Sequence, residues 1–350
     1  MNHLNYEALA NQMEAQLKSD PTNVRLLNRL AIAKMETQGC EKALEVFKKA
    51  AESCPTVQSL NNLGYFYLYE GEPNDDGSFS CASSKAIDVL EQATSLNPTS
   101  EYPFSLLGKA YLVAKRDKEA EEVLIKAVSL APDQANQNNL GIALYRQGRI
   151  EEAAYWFSKA QLSSSSGDIS FKPHLNYGVC LAQLGRTIDA EKIADFLITN
   201  DEAKDDIDLL DVSQIYYETL KYSKVVELFD NYQYSWSFDW AIIYLFCLTQ
   251  CQRKSQAETL LKEAIHNNLL EIEEIKVDDD DEWTEQERMD RIKDLALEID
   301  KYREEYSKIV AGDRPPVNFQ PYEVSKCYLF GCYRHNNPEY EGEIVTGDIT

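Results

Sequence analysis

The sequence predicts an all-α fold in which about six helical hairpins stack into a superhelical array. Four glycines carry this prediction, because each follows an apolar residue near the middle of a predicted helix: Gly64, Gly108, Gly141 and Gly178. A small residue follows each glycine about one helix later in the sequence. Two helices approach closely only where the side chains between them are small. Because glycine in a helix interior costs roughly 1 kcal/mol relative to alanine, four at matching places indicate packing between neighbouring helices.

The clearest pair of repeat units begins at Leu106 and at Asn139. The first reads LLGKAY and the second NLGIAL, and each is followed by a Glu-Ala pair, a large apolar residue and a further alanine. This pattern resembles the tetratricopeptide repeat (TPR) family, whose unit is a helix pair of about 34 residues. The four glycines lie 44, 33 and 37 residues apart. The resemblance therefore implies that the extra residues lie in loops.

Further units flank this pair. Upstream, Ala31 takes the place of the glycine, and residues 6–18 are predicted to form one helix that ends at Asp20 and Pro21. Downstream, the hairpin pattern continues to residue 268 without the glycines and with Trp236 and Trp240 added. Such drift is typical of the terminal repeats that close an array. We assign residues 1–268 to a TPR-like helical repeat domain.

Two polar segments lengthen the predicted loops. Residues 73–84 precede the point at which the helical pattern resumes at Ala86, and residues 163–168 are rich in serine. This composition is typical of surface loops, with an interaction loop as the alternative. Because lengthening a loop costs little free energy, we expect most of residues 73–84 to be dispensable for stability.

The C-terminal part has a different composition. Residues 269–311 are predicted to form an acidic loop and a long helix over 284–310, with a capping box at Thr284 and Glu287. Its apolar stripe contains Met289, Ile292, Leu295, Ile299 and Tyr302.

Residues 312–350 form a non-repeat tail with a short apolar, aromatic segment at 327–333, predicted as irregular structure or a β-hairpin. The tail is too rich in aromatic residues for a disordered segment. We expect it to pack on the C-terminal repeats near Trp236 and Trp240, or to enter the groove as an internal ligand.

The chain is strongly acidic, with a net charge of −24 and a pI near 4.6. Binding to the phosphate backbone of nucleic acid is therefore disfavoured, and a basic polypeptide partner is favoured. The sequence contains neither a run of eighteen apolar residues nor a basic leader followed by an apolar stretch, so we expect no membrane insertion and a cytoplasmic location.

The sequence shows no motif for catalysis, and we predict a non-catalytic protein without a cofactor. Its four histidines are far apart, and a phosphate-binding loop and a nucleophile elbow are absent. Cys327, Cys332 and His335 form a C-x4-C-x2-H pattern that offers three ligands to zinc. Neither Glu339 nor Cys81 is selected as a fourth ligand. The favoured interpretation has both cysteines packed as small apolar residues.

The candidate binding residues follow from the resemblance, which implies that the first helix of each pair lines the inner curve. The residue two positions before each repeat glycine then points into the groove. The residues at this position are Asn62, Leu106, Asn139 and Asn176, and Asn61 and Asn138 lie beside two of them. An asparagine amide both donates and accepts, so a row of asparagines can hold the backbone of an extended peptide. The alternative is that asparagine stabilises neighbouring helices.

Other candidates for the inner face are aromatic or basic, namely Tyr65, Tyr102, Tyr145, Lys109 and Lys172. Some TPR domains clamp a terminal carboxylate with paired Lys and Arg, but here the matching positions hold Asn, Tyr and Gln58. A mixed polar and aromatic groove suits a folded or extended protein ligand instead.

Two classes of function follow. The first is a protein that binds one polypeptide partner, and its sharpest version is an acidic immunity protein that neutralises a basic bacterial toxin, because charge complementarity speeds capture. The second is a TPR sensor of a short signalling peptide, or an adaptor in a larger assembly. The sequence does not identify the ligand.

Overall fold

Seventeen helices and one two-stranded sheet make up the described part of the computed structural model, which comprises residues 5–37, 39–74, 79–163, 170–231, 237–277 and 283–341. The predicted all-α fold is confirmed. The chain divides into two compact units, one formed by residues 1–173 with 322–350 and the other by residues 174–321. This division differs from the predicted boundaries at residues 268 and 311.

The first unit begins with a single helix and continues with four helix pairs. These elements are α1 (Tyr6–Leu17), α2 (Val24–Met35), α3 (Cys40–Ser53), α4 (Val57–Tyr69), β1 (Glu72–Pro73), β2 (Phe79–Ser80), α5 (Ser83–Ser95), α6 (Tyr102–Val113), α7 (Asp117–Leu130), α8 (Gln134–Arg146) and α9 (Ile150–Leu162). The two helices of each pair pack against each other. The first helices of successive pairs also contact each other, α2 with α4, α4 with α6 and α6 with α8. They form a continuous inner surface.

The repeat glycines lie where the sequence predicts close helix contacts. A Cβ atom placed on Gly108 would lie 2.5 Å from Cγ of Leu124, and one placed on Gly141 would lie 2.6 Å from Cε1 of Phe157. Leu124 and Phe157 are completely buried. Real Cβ contacts are longer than this, so each glycine leaves the space that the large residue of the following helix fills. The predicted register of the repeats is confirmed at these contacts.

The second unit contains the remaining helices. They are α10 (Lys172–Gln183), α11 (Thr187–Thr199), α12 (Asp201–Asp206), α13 (Leu209–Glu218), α14 (Tyr222–Asn231), α15 (Phe238–Gln250), α16 (Lys254–Val277) and α17 (Glu285–Ala311). With these, seven helix pairs succeed one another in the described chain, one more than the expected count of about six. None of the described helices is long and apolar enough to cross a membrane.

The long C-terminal helix follows its prediction closely. The capping box at Thr284 and Glu287 is present, and Gly312 ends α17 in the left-handed conformation at φ 106°. Leu295, Ile299 and Tyr302 are buried, and α17 packs against α15 and α16. Met289, which the predicted stripe also includes, is exposed. The helix therefore covers the last hairpin with its middle and C-terminal turns.

Some predicted features lie outside the described residues. These are Trp236, the acidic run at 278–282 and nearly all of the serine-rich segment at 163–168. Trp240 lies in α15 and is half-buried.

The inserted segment between α4 and α5 is anchored more firmly than expected. Glu72 pairs with Ser80 and Pro73 with Phe79 in the small antiparallel sheet. The backbone N–H of Ala82 donates to the carbonyl of Tyr67 at 2.9 Å, and α5 already begins at Ser83. The end of the insert therefore positions the start of α5.

We expect the dispensable part of the insert to be residues 74–78, which a two-residue turn can replace. Because loop shortening changes the free energy of unfolding by less than about 1 kcal/mol, the melting temperature should stay nearly unchanged. Deleting residues 80–84 as well should lower the melting temperature, because this removes the Ala82 hydrogen bond and the first two residues of α5. Thermal melts followed by circular dichroism measure both. Equal stability of the two deletions would contradict the anchoring role of residues 80–84.

Candidate groove and its internal ligand

The inner surface of the first unit is occupied by the chain's own tail. We call residues 322–341 the tail segment, and the surface formed by α2, α4, α6 and α8 the groove. Tyr328, Leu329 and Phe330 are almost completely buried, at 1%, 2% and 2% exposure. The structure thus differs from the expectation that the tail packs on the C-terminal repeats. The sequence left two arrangements open, and residues 322–341 adopt the second, in which the tail enters the groove as an internal ligand.

The beginning of the tail does pack on the C-terminal repeats. The side chain of Tyr217 in α13 donates to the carbonyl of Pro315 at 2.6 Å, and Arg314 donates to the carbonyl of Tyr217 at 3.0 Å. The guanidinium of Arg314 also lies 4.4 Å from the centre of the Tyr217 ring. The chain passes from one unit to the other between Pro321 and Tyr322.

Asparagine amides hold the backbone of the tail segment. Nδ2 of Asn62 donates to the carbonyl of Phe330, while Oδ1 of Asn62 accepts the backbone N–H of Phe330, both at 3.0 Å. Nδ2 of Asn61 donates to the carbonyl of Tyr328 at 2.8 Å. Nδ2 of Asn138 donates to the carbonyl of Tyr322 at 2.9 Å. Asn61 and Asn138 occupy the same repeat position, three residues before the glycine, so the same side chain is used on α4 and on α8.

The tail segment crosses the groove in the direction opposite to the repeats. Tyr322 lies at α8, Tyr328 and Phe330 lie at α4 and α6, and Tyr333 lies at α2, where its hydroxyl accepts from Nε of Arg29 at 3.1 Å. An extended chain rises about 3.3 Å per residue. The nine residues from 322 to 330 therefore suffice to cross three successive inner helices.

Aromatic contacts fill the middle of the groove. The ring of Tyr102 in α6 stacks on Phe330 with centroids 4.7 Å apart and meets Tyr328 edge-on at 5.4 Å. The hydroxyl of Tyr328 donates to Oδ1 of Asn136 at 3.1 Å, and the same oxygen accepts from Ser105 at 2.6 Å. The buried hydroxyl of Tyr328 is therefore satisfied.

Charged residues fix the register of the tail segment. Lys326 lies between two carboxylates at the N-terminal ends of inner helices, 2.6 Å from Asp133 and 3.2 Å from Glu101. Burial opposes the charged form of Lys326, but the hydrogen bond to Asp133 and the charges of Asp133 and Glu101 outweigh it, so the pKa of Lys326 is raised. Lys109 pairs with Glu323 at 3.2 Å. The groove thus offers charges of both signs to its ligand.

The far end of the tail segment is held by α1, α2 and α4. Glu339 forms ion pairs with Arg25 and with Arg29, the latter at 3.6 Å, and Arg334 pairs with Glu36. The backbone N–H of Tyr340 donates to Oε1 of Gln58 at 3.0 Å. The sequence predicts Gln58 at the inner face but does not indicate its partner.

The nine predicted binding residues differ in their position relative to the tail segment. Five of the nine lie around the tail segment: Asn62, Tyr102, Lys109, Asn138 and Tyr65, which lies near the Cys327 side chain. Asn139 is buried, and its Oδ1 has no hydrogen-bond partner among the residues that the structure describes. Asn176 is buried in the second unit, while Tyr145 and Lys172 are half-buried. Within the first unit, the tail segment contacts Asn61, Asn62 and Asn138, so the part of the groove that these asparagines line is occupied.

Sequence reasoning missed several groove residues, namely Arg25, Arg29, Glu36, Glu101, Asp133 and Asn136. A usable signal existed for Asp133 and Glu101, because both directly precede an inner helix. Asp133 caps α8 with Oδ1 and binds Lys326 with Oδ2. A capping carboxylate has a second oxygen that remains available for a ligand.

The three candidate zinc ligands come together in the tail segment. Their ligating atoms lie within 4.8 Å of one another. The interaction between the Cys327 and Cys332 thiols raises the pKa of Cys327 and lowers that of Cys332, and contact with His335 lowers the pKa of Cys332 further.

The comparisons with known proteins agree with the repeat assignment. The family model described as tetratricopeptide repeat matches residues 105–168, which include most of α6 and all of α7 to α9. The resemblance to this family is confirmed, and the fold is an all-α TPR-like solenoid. None of the curated proteins matches the chain.

Among solved structures, the chain is similar to YrrB, described as a TPR protein with an unusual peptide-binding site. The two share 18% identity over 61% of this chain and 99% of YrrB, with a TM-score of 0.46. It is also similar to PilF of Pseudomonas aeruginosa, with 22% identity over 55% of this chain and 83% of PilF and a TM-score of 0.46. MamA shares 24% identity over 45% of this chain and 88% of MamA, with a TM-score of 0.39.

Proposed function

We propose that this protein is a non-catalytic polypeptide-binding protein whose groove holds an extended segment by its backbone. The paired hydrogen bonds between Asn62 and Phe330 carry the proposal, because one side-chain amide satisfies both the N–H and the carbonyl of the same residue. This is the pairing that a neighbouring strand offers in β-strand addition, supplied here by a helix side chain. It recognises an extended backbone without reading its side chain.

Selectivity would come from two further contacts. Tyr102 offers an aromatic surface to a ring at the Phe330 position, and such buried aromatic anchors dominate binding energies. Glu101 and Asp133 offer a site for one cation at the Lys326 position. A partner segment would therefore combine an aromatic residue with a lysine or arginine four residues before it.

The structure also bears on which version of the function is favoured. Any ligand of the groove has to displace the tail segment, so a partner binds only if it competes successfully with residues 322–341. We therefore propose a regulated receptor or adaptor ahead of an immunity protein for a basic toxin. The net charge of −24 remains the support for a basic partner, and recovery of a stoichiometric basic protein from native cells would favour the immunity role.

A cleavable connection tests the proposal in the full-length chain. Val317 is half-buried and Asn318 is exposed, so a specific protease site can be inserted between these two residues. We expect the cleaved tail to remain bound during gel filtration and to exchange with a labelled peptide of residues 322–341. The same peptide with Lys326→Glu should bind at least about tenfold more weakly, since like charges would meet at Glu101 and Asp133.

A scrambled peptide of the same composition is the matched control and should not displace the tail. Separation of the cleaved tail from a chain that keeps its helical signal, together with failure of the native peptide to bind, would contradict the proposal.

A further inference from the structure

The loop from Cys327 to Asn337 is folded so that three ligating side chains converge. The backbone N–H of Cys332 donates to the carbonyl of Leu329 at 3.3 Å, and that of Asn337 donates to the carbonyl of Cys332 at 3.1 Å. Gly331 sits in the left-handed region at φ 74° between the two cysteines. These turns bring Cys332 Sγ to 3.3 Å from His335 Nδ1. All three ligating atoms lie within 4.8 Å of one another.

This arrangement has the chemistry of a zinc site. Zinc binds thiolate sulfur at about 2.3 Å and imidazole nitrogen at about 2.0 Å in a tetrahedron. Ligand atoms in such a tetrahedron lie roughly 3.4 to 3.8 Å apart. Cys332 Sγ and His335 Nδ1, which are 3.3 Å apart, are already close to this separation. Only a small closure of the loop is needed to bring in Cys327.

The surroundings of Cys327 support a ligand role. Nδ2 of Asn337 lies 3.4 Å from Cys327 Sγ and also donates to the carbonyls of Cys327 at 2.9 Å and of Leu329 at 3.0 Å. An amide N–H directed at a thiolate is the kind of outer contact that orients metal ligands. Cys180 and Cys247 differ, because they are completely buried within helices, as cysteines that act as apolar residues are.

We propose that Cys327, Cys332 and His335 bind one zinc ion, with water as the fourth ligand. Among the residues that the structure describes, this cluster contains no further Cys, His, Asp or Glu. His335 is exposed and Cys332 is buried, so the ion would enter from the His335 side, where solvent reaches the open position.

Zinc bound at this site would stabilise the docked conformation of the tail segment. Tyr328, Leu329 and Phe330 lie between the two cysteines in sequence and fill the groove. An ion that joins Cys327 to Cys332 and His335 would hold this segment in its docked shape, because it restricts the free tail more than the docked one. Zinc would then strengthen the competition between the tail and a partner. This regulatory consequence rests on the proposed function, but the metal site itself does not.

Metal titration of the reduced full-length protein tests the site. We expect one zinc ion per chain in competition with a chromophoric chelator, and cobalt should give thiolate-to-metal charge-transfer absorption. Cys332→Ser and His335→Ala should each weaken binding at least about 100-fold, whereas His335→Cys should retain it, since cysteine is also a zinc ligand. Cys54→Ser and Cys81→Ser, at exposed cysteines elsewhere, are the matched controls and should bind like wild type.

Circular dichroism of each variant shows whether the repeats remain folded. Absence of zinc uptake by the reduced wild-type chain would overturn the site, as would equal uptake by wild type and Cys332→Ser. Neither result depends on whether the groove binds a partner.

Discussion

Replacing Gly141 with leucine is expected to lower the free energy of unfolding by about 3 kcal/mol. The first added carbon atom alone would lie 2.6 Å from Cε1 of Phe157, 2.7 Å from Cδ1 and 3.1 Å from Cζ. Phe157 is completely buried and cannot move towards solvent. The two helices of the pair would have to separate. Gly108→Leu should behave in the same way, because its Cβ would lie 2.5 Å from Cγ of the buried Leu124.

Denaturant unfolding followed by circular dichroism measures this effect. Lys126→Leu is the matched control, because Lys126 is an exposed residue inside α7 and a leucine there meets no neighbouring helix. The control should unfold at nearly the wild-type midpoint. Wild-type midpoints for both glycine variants would show that the repeat contacts are assigned incorrectly.

Phe330→Ala is expected to release the tail segment from the groove. Truncating a buried phenylalanine costs about 3 to 5 kcal/mol, and Phe330 additionally loses its stacking on Tyr102. We expect this cost to appear as detachment of the tail while the helices remain folded. The released segment should then be cleaved rapidly by a nonspecific protease.

Ser325→Ala is the control for the tail variant, because Ser325 lies in the same segment but is exposed. It should leave the cleavage rate unchanged. Equal resistance of Phe330→Ala and Ser325→Ala would mean that Phe330 does not hold the tail in place.

The regular part of the fold could be predicted because it follows local rules. Gly108 and Leu124 lie one helix apart in sequence and touch in the structure, so spacing alone identified their contact. The capping box of α17 was readable from Thr284 and Glu287, since capping joins residues three positions apart. The family resemblance rests on these local patterns.

The internal ligand could not be located in the same way. The partners Asn62 and Phe330 are separated by 268 residues, and no periodicity links an irregular segment to a groove. An asparagine on an inner helix serves a neighbouring helix, a foreign peptide or the chain's own tail equally well. The sequence therefore identified the asparagines as backbone-binding residues but could not decide between these ligands.

The convergence of the three zinc-ligand candidates was likewise not predictable from their spacing. The spacing of Cys327, Cys332 and His335 is only marginal for a metal site, and the sequence favoured apolar packing. Their convergence depends on the turn at Gly331 and on the three hydrogen bonds of the Asn337 side chain. Those contacts are not apparent from the spacing of the ligands.

In the groove, the side-chain amide of Asn62 holds the backbone of the extended tail segment at Phe330. Hydrogen exchange at the Phe330 amide of the full-length protein tests it most directly, because Asn62 accepts that N–H. We predict exchange at least about 100-fold slower than in an unstructured chain, and loss of most of this protection in Asn62→Ala. Asn139→Ala should retain it, because Asn139 occupies the same repeat position but its Oδ1 finds no hydrogen-bond partner in the described part of the chain. Rapid exchange at Phe330 in the wild-type protein, or equal protection in both variants, would contradict the claim.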